Sequence, residues 1–252
     1  YNGTGNTIAN EIAALKIKVS SAADNATAYN KAITEYNQQT DALKQVNDQL
    51  TNATTTAYSK NKYTDNYKAI NAEINTFKEN ADKYYAEETA GTNLTDEVIK
   101  AFNTKLTKEI SELGANITKA NADDKAYNIV LPELNTVNKA YDDALQELIK
   151  ALPGAPDVYG DKLEEVQALM KDVRISIAKA ETANGTAENH DGAAAAQADN
   201  EKIIKDATDS IAKYQKDYTT EAANLKTAYA KAIQIVADLT DSLKKVDTTG
   251  VA

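Results

Sequence analysis

The 252-residue sequence contains no cysteine and no tryptophan, and it has only three prolines and nine glycines. Without cysteine the chain has no disulfide, no thiolate nucleophile and no cysteine ligand for a metal. So few glycines and prolines cannot supply the turns of a many-stranded β protein. Long helices are therefore predicted.

Arginine is almost absent: the chain has one arginine, Arg174, and 27 lysines. The chain thus lacks the side chain best suited to bidentate phosphate binding. Its formal net charge of −10 repels phosphate backbones and anionic membrane surfaces. No apolar run of about 18 residues exists, and no initiator Met or signal peptide opens the sequence. We expect no nucleic-acid partner, no membrane insertion, and a chain excerpted from a longer protein.

Apolar, alanine and tyrosine residues recur at alternating steps of four and three residues, which is typical of helices that pack along one face. Such a run is called a stripe here. The pattern predicts three long helices and two short ones. The long stripes run from Ile8 to Leu50, Leu106 to Leu152 and Ile204 to Val246, and the short stripes from Tyr63 to Tyr84 and Tyr159 to Ala180.

The breaks between stripes carry helix-ending residues. Gly91 and Thr95 predict a helix stop and a new N-cap, and glycines flank the breaks at Leu152–Gly160 and Asn184–Gly192. Pro132 lies inside the third stripe, which keeps its phase across the proline. This favours a kink or tight joint over a long loop. The alternative is that Pro132 begins a separate helix.

One short motif recurs in the three long helices. It reads AYNKAI at Ala28–Ile33, AYNIVL at Ala126–Leu131 and AYAKAI at Ala228–Ile233, so its tyrosines are separated by 98 and 102 residues. Shifting the first stripe by 98 residues places its apolar positions on those of the third. The sequence therefore has a period of about 100 residues, with one long and one short helix in each period.

Because a short helix has about half the residues of a long one, it can run back along only half of the long helix's length. The next long helix then begins beside the midpoint of the previous long helix. We therefore expect an all-α fold of elongated tandem three-helix bundles that share long continuous helices. The first module is predicted to span residues 7–130, and the second residues 131–247. The first half of the first helix would extend from a preceding repeat.

This layout resembles the spectrin-type repeat, although the core tryptophans usual in that family are missing. Helical repeats rich in Asn, Thr and Lys but without Cys also resemble those of large bacterial surface proteins and adhesins. The resemblance implies a non-catalytic rod, stalk or spacer of an exported bacterial cell-surface protein. It also implies an extracellular or cell-surface location and neighbouring repeats of the same chain as partners. The alternative is an adhesin module that binds a host protein or glycan through helix faces or loops.

Candidate chemistry is sparse. His190, the only histidine, has Glu188 and Asp191 beside it, which suggests either a weak metal site or solvated loop residues; solvated residues are the more common case. No second histidine, phosphate loop or zinc-protease motif is present. We therefore predict no enzyme, no cofactor, no metal and no catalytic residue.

Two residue types remain to be placed. The carboxylate pairs, including Asp123 with Asp124, are adjacent on predicted helices and are interpreted as solvated faces. Eleven of the fourteen tyrosines lie on stripes, which favours core packing over glycan stacking. Tyr58 and Tyr85 lie off the stripes and are expected to be exposed.

Overall fold

A computed structural model describes residues 4–87, 95–150 and 160–245 as helices with short connections. The five helices are α1 (Thr4–Asn52), α2 (Ala57–Glu87), α3 (Asp96–Lys150), α4 (Gly160–Asn184) and α5 (Ala193–Lys244), and a 3₁₀ turn at Ala53–Thr55 joins α1 to α2. These described ranges contain no strand. The all-α prediction is confirmed, with three long helices and two short ones.

Threonine-rich helices of this length need their hydroxyls satisfied, because a free hydroxyl competes with the backbone for hydrogen bonds. Here the exposed threonine hydroxyls donate to the carbonyl four residues earlier. Thr27 donates to Ala23 at 2.9 Å, and Thr34 donates to Asn30 at 3.0 Å. The same bond recurs along α3, α4 and α5, at Thr118, Thr136, Thr182, Thr208, Thr219, Thr227 and Thr240.

The start of α3 matches its sequence signal. The Val98 N–H donates to the Thr95 hydroxyl at 3.4 Å, so Thr95 caps the helix as predicted. The predicted helix stop at Gly91 and the break over residues 151–159 lie outside the described residues.

The chain divides into two compact units, Tyr1–Asp124 and Lys125–Ala252. In the first unit, α1, α2 and the first part of α3 supply one apolar core. Phe77 and Phe102 stack at 3.8 Å beside it. The buried residues of this core are Leu43, Val46, Leu50, Ile70, Ile74, Leu106, Ile110, Leu113 and Ile117.

Polar contacts fix the helix directions within the first unit. Gln39 donates to Thr107 at 2.8 Å, and Asn103 donates to Glu35. Both pairs are 68 residues apart, and a constant separation means that α1 and α3 run parallel. Contacts between α2 and α3 have the opposite pattern: Lys105 meets Glu73 and Asn121 meets Ser59, so residue numbers fall on one helix as they rise on the other.

The second unit has its own apolar core, built from the later part of α3, α4 and the first part of α5. Gln215 of α5 donates to Glu147 of α3 at 2.6 Å, again 68 residues apart. Asn138 meets Glu181, and Asn184 meets Tyr127, so α3 and α4 run antiparallel. The buried core residues are Val130, Leu134, Val137, Ala144, Leu148, Met170, Val173, Ile177, Ala180, Ile204, Ala207 and Ile211.

Pro132 lies within α3, on its exposed side, and the helix has no interruption there. The prediction that no loop separates the two halves is confirmed, and the alternative of a separate helix starting at Pro132 is wrong. Proline has no N–H to donate to the carbonyl four residues earlier, so this position carries a local cost.

Pro132→Ala should retain the fold and raise the free energy of unfolding, by up to about 3 kcal/mol, because interior proline is disfavoured by that amount. A urea titration followed by circular dichroism measures the change. A marked loss of stability would show that Pro132 is required for the geometry of α3.

Candidate functional site

Buried polar residues are candidates for chemistry, because burying a polar group is costly unless it is hydrogen-bonded. In the described part of the chain they are Ser59, Asp123, Asp124, Asn184, His190 and Asn200. Three of the six, Asn184, His190 and Asn200, lie in or near the connection between α4 and α5. This connection, Gly185–Gly192, is called the α4–α5 loop below.

The α4–α5 loop is closed by its own backbone. Thr186 and Asn189 exchange backbone N–H···O bonds of 2.9 and 3.2 Å. Gly185 and Gly192 at its two ends have φ angles of +83° and +91°. A Cβ on Gly185 would lie 2.5 Å from the Asn189 carbonyl oxygen, so only glycine fits there. The loop is therefore a compact turn with a fixed backbone.

His190 is buried inside this turn. Its ring stacks on Tyr127 with a centroid distance of 4.5 Å and an interplanar angle of 14°. Its Nδ1 lies 3.0 Å from the Thr186 carbonyl oxygen. A carbonyl can only accept, so Nδ1 carries the proton in this contact. His190 thus anchors the loop to α3.

The interpretation of the His190 segment as solvated loop residues is wrong for the histidine itself. Glu188 and Asp191 are exposed, whereas the imidazole is turned inward onto Tyr127. The short loop leaves His190 within reach of the α3 surface, where stacking replaces hydration. Among the residues that the structure describes, no three His, Cys, Asp or Glu side chains are placed to hold a metal ion.

Two buried asparagines lie on either side of the loop. Asn184, the last residue of α4, donates from Nδ2 to the Tyr127 carbonyl at 3.4 Å. Asn200, in the second turn of α5, is also fully buried. Tyr127 is therefore held both through its ring and through its backbone. The sequence signal at this loop is the single histidine between two glycines, and it does not indicate that Tyr127 is its partner.

The first unit has a comparable polar contact at the α1–α2 turn. The buried Ser59 hydroxyl donates to Asn121 Oδ1 at 2.6 Å, and the Thr56 hydroxyl lies 2.8 Å from the same oxygen. These hydroxyls are engaged in fixing the turn to α3. In the described part of the chain their hydrogen-bond partners are each other, Asn121 and the carbonyls of Ala53 and Thr56, and none of these is a base that could activate a nucleophile.

The interpretation of Asp123 and Asp124 as a solvated face is wrong, because both side chains are buried. Adjacent positions on a helix point in directions about 100° apart, so two neighbours can both be buried where other helices flank α3 on two sides. In the sequence, Asp124 follows Ala120 by four residues and precedes Tyr127 by three, so it falls at a position of the third stripe.

The tyrosines separate into packed and exposed ones. Tyr36, Tyr63, Tyr67, Tyr141, Tyr214 and Tyr218 pack against the two large cores, as predicted. Tyr58 is half-buried rather than exposed, with Lys62 Nζ 5.2 Å from its ring centroid. The side chain of Tyr85 lies outside the described residues.

The three motif tyrosines differ. Tyr29 donates to Asp82 at 3.3 Å, Tyr127 is buried against His190, and Tyr229 is exposed. The tyrosine of the repeated motif is therefore in a different environment in each of the three long helices.

Charged groups make local pairs at the surface. Arg174 donates to Asn138 Oδ1 at 2.6 Å, and Asn138 in turn donates to Glu181 at 2.6 Å, which links α4 to α3. The hydrogen bond that Lys105 donates to Glu73 raises the pKa of Lys105, and burial raises the pKa of Tyr218. The contacts of Arg174 and Lys105 are thus pairings between neighbouring helices.

No family model matches the chain, and no curated protein or solved structure matches it. None of the described helices is both long enough and apolar enough to cross a membrane.

Proposed function

We propose that the chain is a non-catalytic structural segment made of tandem three-helix modules, similar to spectrin-type repeats, with α3 shared between them. It serves as a rod, stalk or spacer of an exported bacterial cell-surface protein. Neighbouring repeats of the same longer chain are its partners. In this assignment the buried Ser59, Asn184 and His190 fix turns, and none of the buried polar residues acts on a substrate.

The repeated pairing of helices supports the proposal most strongly. Parallel contacts 68 residues apart join α1 to α3 and α3 to α5, and a short antiparallel helix accompanies each pair. A chain that repeats one set of pairings can be extended by further copies without changing the module. Extension of this kind is what a spacer requires.

A distance measurement tests the module. The chain has no cysteine, so two double-cysteine variants can be labelled cleanly, one at Gln39 and Thr107 and one at Glu147 and Gln215. Each pair of spin labels should give a short and narrow distance distribution, similar in both units. Labels at Gln39 and Gln215 provide the control, since these positions belong to different units. A broad distribution in either unit would contradict the repeated module.

Surface labelling tests the location. Antibodies raised against this chain should bind intact cells of the source organism, and they should lose binding after mild protease treatment of those cells. Binding only after lysis would contradict a cell-surface spacer.

The alternative function is an adhesin module for a host protein or glycan. The α4–α5 loop supports it less well, because His190 and Asn184 are used to pack the loop onto α3. Only its exposed residues, such as Glu188, would be open to a partner. A glycan and host-protein array probed with the intact chain would decide, and a reproducible hit blocked by Glu188→Lys would favour the adhesin.

A further inference from the structure

Two helix segments expose their stripes. On α1 the exposed segment begins at Ile8 and ends at Val19, and on α5 it begins at Tyr229 and ends at Leu243. We call them the α1 face and the α5 face. Their large exposed apolar residues are Ile8, Ile12, Leu15, Ile17, Val19, Tyr229, Ile233, Ile235, Val236, Leu239 and Leu243. Rows of exposed large apolar side chains at helical spacing are typical of surfaces that bind a partner.

The repeat shows what normally covers the α1 face. Ile8 and Leu15 are 57% and 60% exposed, whereas the residues 98 positions later, Leu106 and Leu113, are 1% and 3% exposed. The same stripe is therefore bare on α1 and buried on α3. On α3 it is covered by the second half of α1 and by α2.

The stripe of the α5 face is likewise exposed, whereas the same stripe in the later part of α3 is buried. Leu239 is 58% exposed, whereas Val137, which lies 102 positions earlier, is 2% exposed. Val236 is likewise exposed, and its counterpart Leu134 is buried. The α5 face and the α1 face thus correspond to the two parallel helix segments that pack together inside a module.

We propose that the α5 face of one molecule binds the α1 face of a second copy of this chain, head to tail and with the two helices parallel. This inference rests on the proposed tandem modules. The pair reproduces the α1–α3 contact of the first unit, with α5 in the place of α1 and the second copy's α1 in the place of α3.

The register follows from the repeat. Gln39 and Thr107 share a hydrogen bond across the parallel pair. Their counterparts at the repeat separations of 98 and 102 residues are Leu239 and Ala9. Leu239 of one copy should therefore lie beside Ala9 of the other, and Leu243 should lie close to Ile12.

Charge opposes this contact only weakly, because each of the two faces carries a small net positive charge. Although the whole chain has a net charge of −10, lysines outnumber acidic residues by two to one over residues 4–20 and by four to two over residues 226–245. The acidic excess lies elsewhere, so the two faces are not held apart by strong like-charge repulsion.

The geometry of the contact sets its consequences. A head-to-tail interface uses two different faces, so each bound copy leaves one face open for the next. Two copies supply only two of the three helices of a module, because the short helix is missing. Association should accordingly be reversible and should grow with concentration, with species beyond the dimer.

Cross-linking between singly substituted molecules tests the register. Ala9→Cys and Leu239→Cys proteins carrying different tags should form a mixed cross-link with a short bismaleimide reagent. Asp241→Cys, which lies on the other side of α5, is the control and should react with Ala9→Cys far less. Predominant Ala9–Ala9 or Leu239–Leu239 products would overturn the head-to-tail contact.

A matched pair of substitutions tests the face itself. Leu239 and Ile175 are both 58% exposed, but only Leu239 lies on the α5 face. In sedimentation equilibrium, Leu239→Asp should weaken association about tenfold or more, while Ile175→Asp should leave it unchanged. Equal effects of the two changes, or a monomer at every concentration, would overturn the proposal. The spin-label pairs within each unit test the module independently of this contact. A negative sedimentation result would therefore reject the contact between copies without rejecting the module.

Discussion

Replacing Ile110 with alanine is expected to lower the free energy of unfolding by about 2 to 5 kcal/mol, the usual cost of truncating a buried isoleucine to alanine. The same substitution at Ile12, its counterpart 98 residues earlier, should change stability by no more than about 0.5 kcal/mol in the monomer. Ile110 is buried in the core of the first unit, whereas Ile12 is exposed. Two chemically identical changes at one repeat position are thus expected to differ strongly.

Urea unfolding of dilute protein followed by circular dichroism measures both variants. Because the chain has two compact units, two transitions can appear, and the Ile110→Ala effect should fall on the transition of the first unit. A similar loss for Ile12→Ala would mean that the α1 face is already covered within the monomer. That outcome would favour a closed five-helix domain over an open repeat.

Gly185→Ala should destabilise the second unit by roughly 3 kcal/mol or more. An alanine pays about 1 to 2 kcal/mol for the left-handed backbone conformation, and here its Cβ would also lie 2.5 Å from the Asn189 carbonyl oxygen. The loop would have to open, and His190 would then lose its stacked position on Tyr127.

Two other glycines distinguish the cost of the left-handed backbone conformation from the cost of the short Cβ contact. Gly192 has φ +91° but no atom within 4 Å of an added Cβ, so Gly192→Ala should cost only the conformational term of about 1 to 2 kcal/mol. Gly114 lies inside α3 with an ordinary 3.7 Å contact to Gln49, so Gly114→Ala should be neutral or stabilise by up to about 1 kcal/mol. Thermal melts of the three variants rank them, and a Gly185→Ala protein as stable as the Gly192→Ala protein would show that the loop gives way easily.

The helices could be predicted from the sequence because long stripes are a repeated signal. An error at one position does not disturb a pattern that lasts for more than 40 residues, and Thr95 was identified by its cap chemistry alone. At Pro132 the sequence favours a kink or tight joint over a long loop because the stripe keeps its phase on both sides, and the structure shows α3 without a loop there.

The buried polar residues could not be predicted in the same way. Whether Asp123 and His190 are buried depends on which other elements approach them, and a stripe reports only the position of a residue on its own helix. His190 is neighboured in sequence by exposed residues, so nothing local indicated that its ring would stack on Tyr127, 63 positions earlier.

Small-angle X-ray scattering, extrapolated to zero concentration to remove self-association, tests the tandem arrangement most directly. With its 55 residues, α3 alone spans about 80 Å. Tandem modules that share α3 should give a maximum dimension greater than that, with a radius of gyration well above the roughly 18 Å of a compact protein of this length. A radius of gyration near about 18 Å, with a maximum dimension no longer than α3, would contradict the tandem modules and the spacer function built on them.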